Sequence, residues 1–132
     1  MNRIAPDQRG QTAVEFALVA PILIVLVLAI IQVGVAFHNY VTITDAARVG
    51  ARKAIVVRFN GGSLTPATTA TRNAASDLDQ SKLGVSITST SWTTPGSTVT
   101  VTTTYPYSID IPLLGVPVVS GSLTATAKES LE

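Results

Sequence analysis

One carboxylate stands at the mouth of the most apolar stretch of this chain. Glu15 is the last charged residue before a run, Phe16 to Thr44, that carries none. A carboxylate so placed can cap a helix, or it can meet a positive partner brought from elsewhere. The other groups that could do chemistry are sparse. His38 is the single histidine; no acid or metal-ligating residue lies near it in sequence, so an interfacial position beside Tyr40 is expected rather than a ligand role. Asp77 and Asp79 fall two apart on an expected helix, on different faces, and read as solvated charges. Gly61-Gly62 lacks the following Gly-Lys-Ser/Thr of a phosphate loop. One histidine in an apolar helix cannot serve a Ser/His/Asp arrangement. The chain has no cysteine, which removes disulfides, thiol nucleophiles and zinc–thiolate sites. No enzyme, cofactor or metal centre is expected.

The elements that position Glu15 follow from periodicity. Phe16 to Phe37 is almost entirely Ala, Val, Leu, Ile and Phe, and about 22 helical residues span roughly 33 Å, matching a hydrocarbon core of about 30 Å. Thr12-Ala13-Val14-Glu15 fits the capping box, so the helix is predicted to start at Thr12, with Glu15 also complementing the helix dipole. Pro21 leaves the Ala17 carbonyl without its partner and predicts a kink, which membrane helices tolerate. Gly34-Val35-Ala36 is only a weak signal-peptidase site. The helix is expected to continue to about Val57. Ala46, Gly50 and Ala54 form a small-residue stripe, with Ala47 and Ala51 beside it. Such a stripe admits another backbone closely, from the chain's own sheet, from a neighbouring subunit, or from both.

Met1 to Gly10 is too short and polar to fold; Pro6 and Gly10 are expected to break any helix, and Arg3 and Arg9 resemble the basic part of a secretory leader. Asn60-Gly61-Gly62-Ser63 breaks the long helix. Thr65 and Pro66 then read as cap and first position of a short helix to about Gln80. From Val85 the period becomes two. Val85–Thr88 and Thr98–Tyr105 read as strands around a Pro95-Gly96 turn after Trp92. Pro106 and Pro112 predict that Tyr107–Leu114 is irregular or an edge. Leu113, Leu114, Val116, Val118 and Val119 read as an apolar loop, and Ser122–Lys128 as a final strand. Ser and Thr make up 13 of the 19 residues from Ser86 to Thr104, which predicts one wet sheet face opposite a buried Val/Ile face. The expected fold is α+β: a long transmembrane and assembly helix (12–57), a short second helix and a small antiparallel sheet of three to four strands. The domain boundaries expected are a leader (1–10), the long helix (11–58) with a membrane segment near 16–37, and an extracytoplasmic α+β domain (59–132). Formal charge is +1, and no basic run suggests nucleic acid.

Arg9-Gly10-Gln11-Thr12-Ala13-Val14-Glu15-Phe16 with the following Val19-Ala20-Pro21, and then Ala46-Ala47-Arg48-Val49-Gly50-Ala51-Arg52, resembles the TadE-like family of the tight-adherence (Flp-type) pilus system over residues 9–54. The order of a Val-Thr-Val-Thr strand, Tyr105-Pro106-Tyr107 and Leu123–Ala127 is also similar. The resemblance implies a pilin-like minor pilin or pseudopilin, cut between Gly10 and Gln11 by a membrane-embedded prepilin peptidase. It implies as partners membrane lipid, the major Flp-type pilin, other minor pilins, a platform protein and a cytoplasmic assembly ATPase, and a contribution to adherence and biofilm. The leader is short, and Asp7 offsets one arginine.

Cleavage after Gly10 would create an α-amino group four residues from Glu15. That amine on one subunit can pair with Glu15 of another and set axial register, while Phe16 and the apolar face supply contact. The chain before the run has Arg3 and Arg9; the chain after it has Arg48, Arg52, Lys53 and Arg58. That count alone favours a tail inside the cell, whereas the resemblance places the N-terminus in the cytoplasm and the tail outside, in the inner membrane or a surface pilus. Two other readings stay open: an unprocessed membrane-anchored adhesin or binding module, and a type II secretion pseudopilin.

Overall fold

The computed structural model describes residues 8–59, 63–91, 96–111 and 116–130. Helix α1 runs from Gln8 to Phe59, 52 residues, or about 78 Å at 1.5 Å per residue. Helix α2 spans Thr65–Ala74. Strands β1 (Gly84–Ser89), β2 (Thr98–Ile111) and β3 (Val116–Ser130) form one antiparallel sheet in the order β1-β2-β3. The architecture is the expected α+β one, with three strands.

Several boundaries differ from the sequence reading. Helix α1 starts at Gln8, not Thr12, and Gly10 lies inside it. One glycine near a helix end costs only about 1 kcal/mol, too little to stop a helix that runs on into an unbroken apolar segment. A start at Gln8 gives the Thr12 and Glu15 amides the carbonyls of Gln8 and Gln11 as i−4 partners, so the capping box at Thr12 and Glu15 does not form. The helix continues through Pro21.

Helix α2 starts one residue earlier than expected. Leu64 is its cap by position and makes no side-chain cap; the Thr65 amide donates to Ser63 Oγ at 3.3 Å. The helix ends at Ala74 rather than near Gln80. The Gln80 side chain folds back and donates to the carbonyls of Ala75 (2.6 Å) and Leu78 (3.2 Å), taking acceptors that another helical turn would have used.

The largest correction is at the proline-rich end of the sheet. The expected apolar loop at Val116–Val119 is the first part of β3, while strand β2 passes through Pro106 to Ile111, where the edge alternative of the sequence reading is the one that forms. Strand β1 pairs with β2 only as far as Gly84↔Thr104. Beyond Thr104 no strand among the described residues lies on the β1 side of β2, and there a proline is tolerated. Tyr107 packs over its cross-strand partner Gly121; a Cβ on that glycine would meet the ring at 3.1 Å. Gly96, with φ +82°, takes the left-handed conformation of the expected turn; Trp92, Pro95, Pro112, Leu113 and Leu114 lie outside the described residues.

The core sits where the C-terminal half of α1 crosses the sheet and α2. Ala46, Ala47, Gly50, Ala51 and Ala54 are buried. They let α1 approach β2 so closely that a Cβ on Gly50 would overlap Thr71 Oγ1 and meet Val101 Cγ1 at 3.3 Å. The Ala46/Gly50/Ala54 stripe therefore packs within the chain, against its own sheet and second helix, and has no free area for a neighbouring subunit. On β2 the inward residues Val99, Val101 and Thr103 are buried while Thr98, Thr100, Thr102 and Thr104 are less so, the alternation read from the sequence. The buried Thr103 hydroxyl donates to the Ile43 carbonyl at 2.8 Å and pins the sheet to α1.

Candidate functional site

Two regions carry the residues of interest: the free N-terminal half of α1 and the strip where the β2–β3 hairpin lies along it. The free half is apolar and unburied. Phe16, Leu18 and Ile22 are each about 70% exposed (72%, 69% and 70%). An 18-residue window of this helix is long and apolar enough to cross a membrane and is 0% buried within the fold. Such a surface is unfavourable in water, since soluble chains rarely leave a continuous apolar face uncovered. It has the form of a single-pass membrane anchor.

Gly10, Gln11, Thr12, Glu15 and Phe16 all lie exposed on this helix. Gln11 Nε2 donates to Glu15 Oε1 at 3.2 Å, one turn away; among the described residues no cation pairs with Glu15. Pro21 is exposed six residues further on. The expected amino-terminal residues are thus brought together by one helix, and Ala46, Gly50 and Ala54 are set apart from them in the core.

Three features escaped the sequence reading. His38 Nε2 lies 3.1 Å from Asp77 Oδ2, with Thr42 Oγ1 donating to the same oxygen at 3.5 Å. The partner missing near His38 in sequence comes from 39 residues away, beyond the end of α2. Asp77 and Asp79 are exposed, solvated charges as read, but they lie beyond the end of α2, not on a helix, and each has a partner. Asp79 accepts from the Ser81 hydroxyl (2.6 Å) and amide (3.0 Å) and sits 3.5 Å from Lys82 Nζ. The Ser81 hydrogen bonds, aided by Lys82, hold its carboxyl below the usual range.

The third feature is a clasp. Gln32 Nε2 donates to the Asp110 carbonyl and the Asp110 amide donates to Gln32 Oε1, both at 2.7 Å. The sheet register shifts between Ile109 and Asp110, and the amide of Gln32 takes up both backbone groups there. The only sequence signal was the primary amide itself, isolated in an apolar run. The hairpin therefore lies against α1 as far up as Val25 and Ala29, which share a recess with Ile109, Ile111 and Val118. The expected membrane segment, 16–37, is thus flanked by protein on one side over its second half. Among the described residues no three His, Asp or Glu side chains approach closely enough to hold a metal ion.

Residues 10–52 match the family model described as TadE-like protein. Over that stretch, about a third of its length, the chain is similar to the TadE-like family. No curated protein and no solved structure matches the chain, so the sheet beyond Arg52 rests on its own geometry, and the tail similarity read from the sequence lies outside the matched segment. The TadE-like segment begins at Gly10 and ends where α1 is fully engaged with the sheet. It contains the exposed anchor, Glu15, Gln32 and the buried small-residue stripe.

Proposed function

We infer that this chain is a structural subunit of a tight-adherence pilus apparatus, a minor pilin or pseudopilin, and not an enzyme. The observation that carries the reading is the TadE-like segment laid along an exposed apolar helix whose far end is built into a small sheet. A subunit of this form waits in the membrane on its helix and is extracted into a fibre in which other helices cover the apolar face. In this reading the N-terminus is cytoplasmic, the sheet is extracytoplasmic, and a prepilin peptidase cuts between Gly10 and Gln11. The partners are the major pilin, other minor pilins, the platform protein and its ATPase.

The start of α1 at Gln8 gives cleavage a physical consequence. Before it, Glu15 lies in the second turn, beyond the reach of the helix dipole. After it, Gln11 is the first residue, Glu15 lies four residues from the helix start instead of seven, and a charged amine sits about one turn away. Pairing of Glu15 with the amine of another subunit then removes two charges from an apolar environment together. Gly10 near the helix end lowers the cost of unwinding the bond to be cut.

Mass spectrometry of the N-terminus in cells with and without the prepilin peptidase tests this. The expected mature chain begins at Gln11 only when the peptidase is present. An intact Met1 in both would support the unprocessed adhesin instead.

A further inference from the structure

We propose that the far end of the β2–β3 hairpin, carrying Ile109, Ile111, Val118 and Val119, is an interfacial membrane wedge whose apolar side chains contact lipid acyl chains beside the anchor helix. The proposal rests on the reading of α1 as a membrane anchor. Three cross-contacts fix where the hairpin lies. Arg52 meets Glu129 at 3.9 Å, the Ile43 carbonyl meets Thr103, and Gln32 clasps Asp110. Strand β2 therefore runs antiparallel to α1, and its end points back along the apolar run. If the bilayer edge is at Phe37, Gln32 lies about 7.5 Å and Ala29 about 12 Å inside it at 1.5 Å per residue. Interfacial elements bury apolar faces to roughly 5–10 Å.

The chemistry of the hairpin end suits that depth. Val118 is 59% and Val119 45% exposed, two successive apolar side chains left uncovered on β3. Backbone at this depth must have its polar groups satisfied within the protein. Strand β3 pairs with β2 up to Ile111↔Val116. At the irregularity between Ile109 and Asp110, Gln32 supplies both a donor and an acceptor. Pro106 and Pro117 bring no N–H at all. Asp110 sets the limit. Its exposed carboxylate, which accepts from Ser108 Oγ at 3.4 Å, requires headgroups or water, so the wedge occupies the interface and not the bilayer centre. A second copy of the chain would need no such match to membrane depth.

The native absence of cysteine makes the test direct. The full chain carrying V118C, I22C or S86C is labelled with a polarity-sensitive fluorophore and reconstituted in phosphatidylcholine vesicles containing spin-labelled lipid. The expected result is lipid quenching at V118C within about twofold of that at I22C, with S86C at background. Adding Gln32→Leu should lower quenching at V118C about twofold and leave I22C unchanged, because the clasp holds the hairpin and not the anchor. Quenching of I22C alone overturns the wedge and leaves the anchor standing. Absence of quenching at I22C overturns the anchor, and the wedge with it. A V118C label in an apolar environment that lipid does not quench, and that becomes polar on dilution of the protein in lipid, shows a second copy there and overturns the lipid assignment.

Discussion

Substituting alanine for Gly50 sets two effects of known sign against each other. In an exposed helix the change would stabilise by about 1 kcal/mol. Here the added Cβ overlaps Thr71 Oγ1 and lies 3.3 Å from both Thr71 Cβ and Val101 Cγ1. The hydroxyl cannot turn aside freely, since Thr71 is fully buried and donates to the Ala67 carbonyl at 2.8 Å. Overpacking of this kind costs about 1–3 kcal/mol, so Gly50→Ala should destabilise by a net 0–2 kcal/mol, roughly. In a Thr71→Ala background the obstructing oxygen is gone and the same change should become neutral or stabilising by up to about 1 kcal/mol. The coupling between the two sites, about 1–3 kcal/mol, is the quantity to measure. Thr71→Ser keeps the oxygen and should not rescue. Urea titration of the full chain in mild detergent, read by pulse proteolysis of the sheet region, gives all four corners of the cycle. A Gly50→Ala variant that is stabilised in the native background, or equally damaged with and without Thr71, would refute the close approach of α1 to α2.

Replacing Thr103 with valine keeps shape but removes the hydroxyl on the Ile43 carbonyl, and should destabilise the same domain by about 1 kcal/mol in the same titration. Because the folded-state carboxyl of Asp79 is lowered by Ser81 and Lys82, its stabilisation is complete above the unfolded value of 3.8 and is lost as pH falls through the folded one; Asp79→Asn should flatten the stability profile between about pH 5 and the acid limit. Glu15→Ala should lower recovery of the subunit in sheared pilus fractions. Glu15→Gln, which keeps the hydrogen bond to Gln11 but not the charge, should lower it as much; recovery at the native level in both would remove the register role.

The parts of the fold legible in the sequence are those written in local period. The charge-free run announced α1, and alternating Val and Thr announced the buried and wet faces of β2. The errors came where a local signal met a longer-range condition. Thr12 and Glu15 have the spelling of a capping box, but the helix had already begun at Gln8. Val116, Val118 and Val119 have the spelling of an apolar loop, but the far end of β2 offers them a partner and they open β3. Gln80 looked like a helix end and instead folds back on the carbonyls of Ala75 and Leu78. The site divides in the same way. Glu15 and the apolar helix are visible in the residues themselves. The pairing of Gln32 with Asp110, 78 residues apart, and of His38 with Asp77 depends on the topology of the chain, and no spacing encodes it.

The antiparallel course of β2 along α1 also determines how the molecule carries load. A subunit drawn out of a bilayer by its helix is pulled along the axis of α1. The contacts at Arg52, Ile43 and Gln32 are strung along that axis, so an axial pull works on them side by side, in shear, together with the buried alanine face between them. A sideways pull on the far end of the hairpin meets the Gln32 clasp first, then Ile43, then Arg52, and opens them one at a time. The same contacts make a stiff strut in the first direction and a zipper in the second.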